Sequence, residues 1–161
     1  MLTHYIAVAG ALLMLAACSS APEPAGGPGG PGGPGGISSS RFGPGSQQDL
    51  AATAGDRVFF AYDSSEISSE GRQTLQKQAD WLRRYGNVNV TIEGHCDERG
   101  TREYNLALGE RRAQAVKNVL VASGIPTSRI ATISYGKERP EIPHSDDQSY
   151  AQNRRGVTTV N

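Results

Sequence analysis

The alternation of apolar and polar residues predicts several strands in the C-terminal two thirds of the chain. Four segments are predicted as strands: residues 57–62, 88–94, 129–136 and 156–160. In the second of these, Val88, Val90 and Ile92 alternate with polar neighbours, as in a strand that is buried on one face. The third alternates in the same way through Ile133 and Tyr135. The first, RVFFAY, is aromatic and β-branched, which favours a strand.

Apolar residues three or four positions apart predict two helices between these strands. In residues 70–85, Leu75, Ala79 and Leu82 fall on one face of a helix. A second helix is predicted over residues 103–123, with Leu106, Ala113, Val116 and Leu120 on one stripe and Gly124 as its C-cap. Because strands alternate with helices, the predicted fold class is α/β: a two-layer sandwich with helices packed on one sheet.

The N-terminus has a different pattern, a continuous apolar run of twelve residues from Ile6 to Ala17. A helix needs about twenty apolar residues to span a bilayer, so this run fits the core of a signal peptide better. It ends in L-A-A-C, which resembles the bacterial lipobox, and Cys18 would then carry the lipid. The alternative is an ordinary secretory signal followed by an unrelated cysteine. By resemblance to lipoprotein sorting, Ser19 favours the outer membrane.

Glycine and proline dominate the segment that follows. Residues 21–45 read APEPAGGPGGPGGPGGISSSRFGPG, which is too short for a collagen helix and predicts a disordered tether. The predicted organisation is therefore a signal peptide over residues 1–17, a lipidated N-terminus and tether over residues 18–48, and one domain over residues 49–161.

Charge excludes one class of partner. Sixteen Lys and Arg residues balance sixteen Asp and Glu residues, so the chain lacks the basic field on which nucleic-acid binding depends. We therefore expect no nucleic acid as a partner.

The densest group of chemically active side chains is TIEGHCDERGTREYN, residues 91–105. A nucleophilic pair of His95 and Cys96 is disfavoured, because adjacent side chains diverge in extended backbone. Four consecutive metal ligands cannot easily converge, and no metal-binding spacing supports them. A hydrolase with paired carboxylates remains open, as does a structural ion pair between Asp97 and Arg112.

The chain resembles the OmpA-like peptidoglycan-binding domain, and among its members the lipoproteins of the Tol system. The resemblance rests on EGHCDERGTREYNLALGERRAQAVKNVL, SYGKERP and NRR, and it covers roughly residues 55–160. It implies a mixed sheet of about four strands and a non-catalytic domain with no cofactor and no metal. The implied ligand is the meso-diaminopimelate of the peptidoglycan stem peptide.

The resemblance also implies the site. Asp97 would bind the ammonium of diaminopimelate, and Arg112 would bind its carboxylate as a bidentate partner. The further implied residues are Asp63, His95, Thr101 and Asn105 in or beside the pocket, and Tyr104 and Leu108 as walls or core. Cys96 would be a packing residue. We expect the loss of Arg112 to abolish wall binding and to leave the fold intact.

Partners follow from the same resemblance. It implies a lipid anchor in the outer membrane, a domain facing the periplasm, and contacts with the β-propeller protein TolB and other Tol proteins during envelope constriction in cell division. The alternative is a periplasmic protein-interaction module whose main ligand is TolB-like, with wall binding secondary.

Overall fold

A computed structural model describes residues 42–161. The predicted signal peptide, Cys18 and most of the tether lie outside the described residues. The elements in chain order are α1 Gln47–Thr53, β1 Arg57–Phe59, α2 Ser69–Arg84, β2 Val90–His95, α3 Arg102–Ala122, a 3-10 turn Thr127–Arg129, β3 Ile130–Gly136, α4 Asp147–Asn153 and β4 Arg155–Val160. Within residues 42–161, no helix is long and apolar enough to cross a bilayer.

The sheet has four strands in the order β1-β4-β2-β3. β4 is antiparallel to both of its neighbours, whereas β2 and β3 run parallel. The parallel pair needs a crossover, and α3 supplies it by packing across β2 and β3. This arrangement confirms the predicted α/β sandwich with helices on one mixed sheet.

The core lies between the sheet and the two long helices. On α2 the predicted face is buried as expected, with Leu75, Ala79 and Leu82 each fully inaccessible. From the sheet, Val90 and Ile92 meet them, also fully buried. Burying such a side chain stabilises the fold by about 1.5 to 3 kcal/mol, so this layer dominates the stability.

Two glycines let the end of β2 approach α3. A Cβ atom added to Gly94 would lie 1.9 Å from the carbonyl oxygen of Gly109, which is far inside van der Waals contact. The backbone of β2 therefore passes directly against α3 at its C-terminal end. This contact fixes the position of the loop that follows β2, residues 96–101.

The long helices begin and end as their sequences predict. The hydroxyl of Ser68 accepts from the backbone of Gly71 and starts α2, and Thr101 does the same for α3 through Tyr104. Gly124 has φ +92° and ends α3 in the left-handed conformation that glycine adopts without strain. The stripe predicted on α3 is buried at Ala113, Val116 and Leu120, whereas Leu106 is only half-buried.

The apolar residues that alternate along β3 in the sequence prediction do not face the helices. The residues between them do. Ile130 is buried, whereas Ala131 is exposed and Ile133 is 39% exposed. Ala131, Ile133 and Tyr135 lie on the other face of the sheet. Apolar alternation located this strand correctly but does not indicate which face meets the core.

Two short helices were not predicted from the sequence. α4 is polar, and α1 lies at the predicted end of the tether. The carboxylate of Asp49 in α1 accepts hydrogen bonds from the indole of Trp81 (3.0 Å) and the backbone of Gly45 (3.0 Å). The Gln47 amide also bonds the backbone of β4 at Thr158 and Val160. α1 is thus attached to the domain at the C-terminal end of β4.

Candidate ligand-binding site

A small cavity opens at the C-terminal end of β2, at the opposite end of β4 from α1. It encloses about 100 Å³ between the turn after β1, the β2–α3 loop and one face of α3. Six of the predicted site residues line it: Asp63, Asp97, Tyr104, Asn105, Leu108 and Arg112. Small-molecule sites usually enclose roughly 300 to 1,000 Å³, so this cavity fits the end of a side chain rather than a whole cofactor.

The β2–α3 loop that forms one wall is held from both sides. The amide of Asn105 donates to the carbonyl oxygens of Arg99 (2.8 Å) and Thr101 (3.1 Å). From the other side, the ammonium of Lys137 donates to the carbonyl oxygens of Glu98 (3.0 Å) and Gly100 (2.7 Å). Asn105 and the N-cap Thr101 therefore orient the loop, and Thr101 does not line the cavity.

Asp97 is the buried acid of the cavity, with 4% of its surface exposed. Arg99 donates to its two carboxylate oxygens from Nε (3.1 Å) and Nη2 (2.6 Å), and from its backbone N–H (3.1 Å). Arg154 adds a bond from Nη1 at 3.2 Å. Burial alone raises the pKa of Asp97, but these hydrogen bonds outweigh it and lower the pKa below its ordinary value. The carboxylate is therefore ionised at neutral pH.

Arg112 is the buried base of the cavity and is completely inaccessible to solvent. Its guanidinium donates to three backbone carbonyl oxygens, of Ser64 (2.8 Å), His95 (2.8 Å) and Ala61 (3.1 Å). It also lies against the sulfur of Cys96. Burial lowers the pKa of Arg112 from its ordinary value, yet that value is so high that the charge persists at neutral pH.

These contacts give Arg112 a structural role that does not depend on Asp97 or on a ligand carboxylate. Three of its five N–H groups tie α3 to the turn after β1 and to the end of β2. Its removal would leave three carbonyl groups without this donor, two of them in the turn that carries Asp63. The expectation that the fold is intact without Arg112 is therefore revised.

Asp97 and Arg112 do not form the ion pair that remained open from the sequence. Within residues 42–161, the ion-pair partners of Asp97 are Arg99 and Arg154. Arg112 is held by backbone oxygens instead. The acid and the base are thus positioned separately, each by its own partners, on the walls of one cavity.

Asp63 reaches the cavity from the turn after β1. It adopts a left-handed backbone conformation, φ +52°, which is uncommon for a residue other than glycine. Its carboxylate accepts a hydrogen bond from the hydroxyl of Tyr104, which links the turn to α3. Leu108 is buried and forms an apolar wall.

The structure does not bring the side chain of His95 into the cavity. In β2, Val90, Ile92 and Gly94 face the helices, so His95 points to the opposite face of the sheet. There its Nε2 lies 3.4 Å from the carboxylate of Glu93, and its ring packs on Tyr135 with centroids 5.5 Å apart. Burial and the nearby Arg155 charge lower the pKa of His95 to about 4. Only its carbonyl oxygen takes part in the pocket, through Arg112.

This placement also separates His95 from Cys96. The thiol of Cys96 donates to the carbonyl oxygen of Asn105 at 3.4 Å, and burial raises its pKa. A thiol in this state is a poor nucleophile, and within residues 42–161 no imidazole lies within reach of it. In the part of the chain described, no three His, Cys, Asp or Glu side chains converge as a metal site would require.

Three side chains that line the cavity were given no role in the sequence prediction. Arg99 and Arg154 hold Asp97, and Tyr62 stands at the mouth with 63% of its surface exposed. Arg99 is two positions from Asp97, so a local ion pair could have been expected. Arg154 is 57 positions away, and only the folded chain brings it there.

The arrangement suits one kind of ligand group. A buried carboxylate can bind a cation, and the Nη atoms of a fixed guanidinium can bind a carboxylate in the same small space. The cavity therefore fits a group that carries an ammonium and a carboxylate close together, such as the end of an amino acid.

The chain is similar to known proteins over most of its length. The OmpA family profile matches residues 59–154. A curated relative from Brucella melitensis, named peptidoglycan-associated lipoprotein, is 57% identical over 118 residues, covering 73% of this chain and 70% of the relative. A relative of the same name from Haemophilus influenzae is 40% identical over 150 residues, covering 93% of this chain and 92% of the relative.

A solved structure shares both the fold and the sequence pattern. The crystal structure of the peptidoglycan-associated lipoprotein from Burkholderia pseudomallei superposes with a TM-score of 0.64 at 38% identity. The match covers 66% of this chain and 90% of that one.

Proposed function

This chain belongs to the OmpA family, and we propose that it is an outer-membrane lipoprotein that binds peptidoglycan non-covalently through meso-diaminopimelate. The observation that carries the proposal is that a buried acid, Asp97, and a buried base, Arg112, both line one small cavity. The names of the relatives support the wall as the partner.

The chemistry of the ligand matches the cavity. The free end of diaminopimelate carries an ammonium and a carboxylate on one carbon, so it presents both charges within a few ångströms. Asp97 would accept hydrogen bonds from the ammonium, and the Nη atoms of Arg112 would donate to the carboxylate. Lysine, which replaces diaminopimelate in some cell walls, has the ammonium and lacks the carboxylate. The Nη–H groups of Arg112 that do not bond a backbone carbonyl would then have no ligand carboxylate to bond, and hydrogen bonds to a charged group contribute about 1.5 to 3 kcal/mol.

We propose binding without catalysis at this site. Hydrolysis would need a base or nucleophile poised near the ligand. Asp97 is engaged by two arginines, and the thiol of Cys96 is protonated and bonded to a backbone oxygen. The residues of the cavity are therefore arranged to hold charge in place.

The N-terminal sequence gives the site its place in the cell. A lipid on Cys18 would hold the protein in the outer membrane, and the Gly/Pro-rich tether would let the domain reach the wall from the periplasmic side. α1 is attached to the sheet at the end opposite the cavity. The protein would thus link the outer membrane to the cell wall.

Protein partners form the second part of the proposal. Tyr62 and Tyr104 stand at the mouth of the cavity, 63% and 45% exposed, and exposed tyrosines are enriched at protein interfaces. We propose that a TolB-like β-propeller and other Tol proteins bind here in competition with the wall during cell division. The alternative, a protein-interaction module in which wall binding is secondary, uses the same surface.

A titration with soluble stem peptide tests the primary proposal. The full-length protein is titrated calorimetrically with L-Ala-γ-D-Glu-meso-diaminopimelate and with the matching lysine tripeptide. We expect binding of the first and at least tenfold weaker binding of the second, since the missing bonds between Arg112 and the ligand carboxylate are worth about 1.4 kcal/mol or more. Equal affinity for the two peptides would contradict recognition of the carboxylate.

A further inference from the structure

We propose that a cation subsite at the edge of this cavity consists of Asp97 and Tyr62 from the cavity lining and the ring of Tyr150 beside it, and that the protein's own Arg99 fills this subsite until the ligand ammonium displaces it. The inference rests on the proposed function and adds two binding residues and a built-in competitor to it.

The guanidinium of Arg99 is bound as a ligand cation would be. Its Nε and Nη2 donate to the two oxygens of Asp97 at 3.1 and 2.6 Å. Its central carbon lies 4.1 Å from the ring centroid of Tyr62 and 4.4 Å from that of Tyr150. A carboxylate with two aromatic faces is a strong site for an organic cation, because each face attracts positive charge.

The other two arginines of the cavity are held much more firmly. Arg112 is fully buried and bonded to three carbonyl groups, and Arg154 has 15% of its side chain exposed and also donates to the carbonyl oxygen of Phe60 (3.1 Å). The side chain of Arg99 is 36% exposed, and its polar contact is with Asp97. Arg99 is therefore the guanidinium that can leave at least cost.

Asp97 stays in place when Arg99 leaves. The bond from Arg154 Nη1 (3.2 Å) and the bond from the backbone N–H of Arg99 (3.1 Å) do not depend on the Arg99 side chain. Tyr150 is fixed independently, because its hydroxyl donates to Glu98 at 2.7 Å. The subsite is thus already formed for a new cation.

Charge makes the two cations mutually exclusive. The cavity is lined by three arginines and two carboxylates, Asp63 and Asp97, so it carries one excess positive charge while Arg99 is inside. An ammonium that entered would meet this excess at short range. Once Arg99 swings to solvent, the lining is neutral and suits a zwitterion.

The measured affinity for the ligand then includes the cost of moving the Arg99 side chain out of the subsite. An apparent dissociation constant rises as the fraction of the competent state falls, so removal of the internal competitor should tighten binding. We expect Arg99→Gln to bind the diaminopimelate tripeptide roughly three- to tenfold more tightly than wild type. Arg102→Gln is the matched control, since Arg102 is 63% exposed, pairs with Glu138 and lies outside the cavity.

The titration uses the full-length protein, with Asp97→Asn as a further variant to test the pocket. In the Arg99→Gln background, Tyr62→Leu should weaken binding about threefold, because the ring then contacts only the ligand cation.

An NMR measurement follows Arg99 itself. In wild-type protein with ¹⁵N-labelled arginine, the Nε–H signal that is lost in Arg99→Gln should change its chemical shift when the tripeptide is added.

The outcomes separate this inference from the proposal beneath it. Tighter binding by Arg99→Gln alone, with loss in Asp97→Asn, supports the competitor. Weaker or unchanged binding by Arg99→Gln, with loss in Asp97→Asn, overturns the competitor and leaves the binding function standing. If the wild-type protein does not bind the tripeptide, the proposed function fails and this inference fails with it.

Discussion

Arg112 donates from Nη1 to the backbone carbonyl oxygen of His95 at 2.8 Å, so the final residue of β2 meets the cavity through its backbone. The imidazole of the same residue lies on the far face of the sheet. The backbone of His95 therefore contacts one face of the sheet and its side chain the other. A substitution of His95 changes the contacts of the side chain on the far face and leaves the carbonyl group that bonds Arg112 in place.

Loss of Arg112 should destabilise the domain. Three hydrogen bonds from a buried charged group disappear in Arg112→Ala, and we expect the free energy of unfolding to fall by about 3 kcal/mol. Urea unfolding measures the change. Arg111→Ala, the exposed neighbour on α3, should change the same free energy by less than about 0.5 kcal/mol. Equal stability of the two variants would show that the carbonyl contacts contribute little.

His95 should make the free energy of unfolding depend on pH between about 4 and 7, where carboxylates contribute little. Its pKa is about 4 in the folded state and about 6.5 when unfolded, so the unfolded chain binds more protons between these values. The free energy of unfolding should therefore fall by roughly 3 kcal/mol as the pH drops from 7 to 4. Asp97, with a lowered pKa, loses its contribution only below this window.

The variant His95→Gln should flatten this part of the pH profile. His144→Gln is the matched control, because His144 is exposed on the loop before α4. Thermal unfolding followed at several pH values between 4 and 7 distinguishes the two. An unchanged slope in His95→Gln would mean that the imidazole titrates alike in both states.

The contact between β2 and α3 should not tolerate a methyl group. In Gly94→Ala the new Cβ meets the Gly109 backbone, so the helix and strand must separate, at a cost of about 3 kcal/mol in unfolding free energy. Gly86→Ala adds a methyl group where nothing lies within 4 Å and should be nearly neutral. Chemical denaturation of both variants checks this, and a neutral Gly94→Ala would contradict the close approach.

The attachment of α1 should be visible in tryptophan fluorescence. Trp81 is the single tryptophan of the chain, and its indole donates to Asp49. In Asp49→Ala we expect a red-shifted emission and a loss of about 2 kcal/mol in unfolding free energy. Asp80→Ala, at an exposed position of α2, should show neither effect.

Periodicity predicted the elements whose burial is one-sided. α2 and α3 were predicted because apolar residues recur at helical spacing along each, such as Leu75 and Leu82 on α2 and Val116 on α3. These residues pack on one sheet. α1 and α4 were not predicted because each has only seven residues. Their positions also depend on tertiary hydrogen bonds, such as that from Gln47 to β4. Local pattern carries no signal for such contacts.

The candidate site divides in the same way. The acid and the base were named through family resemblance, and their separate supports appear only in the fold. The side chain of His95 could have been placed outside the cavity from the sequence, because Val90 and Ile92 face the core and the odd-numbered positions of the same strand point to the other face. Arg154 belongs to the NRR motif, but its contact with Asp97 could not be predicted, since no local pattern joins the two residues.

Co-sedimentation with purified sacculi tests the central claim most directly. Full-length protein and the variants Asp97→Asn and Asp80→Asn are pelleted with diaminopimelate-type wall and with lysine-type wall, after thermal unfolding has established that each variant is folded. The account predicts that wild type and Asp80→Asn pellet with the diaminopimelate wall only, and that Asp97→Asn stays in solution. Pelleting of Asp97→Asn with the diaminopimelate wall at the wild-type level would contradict it.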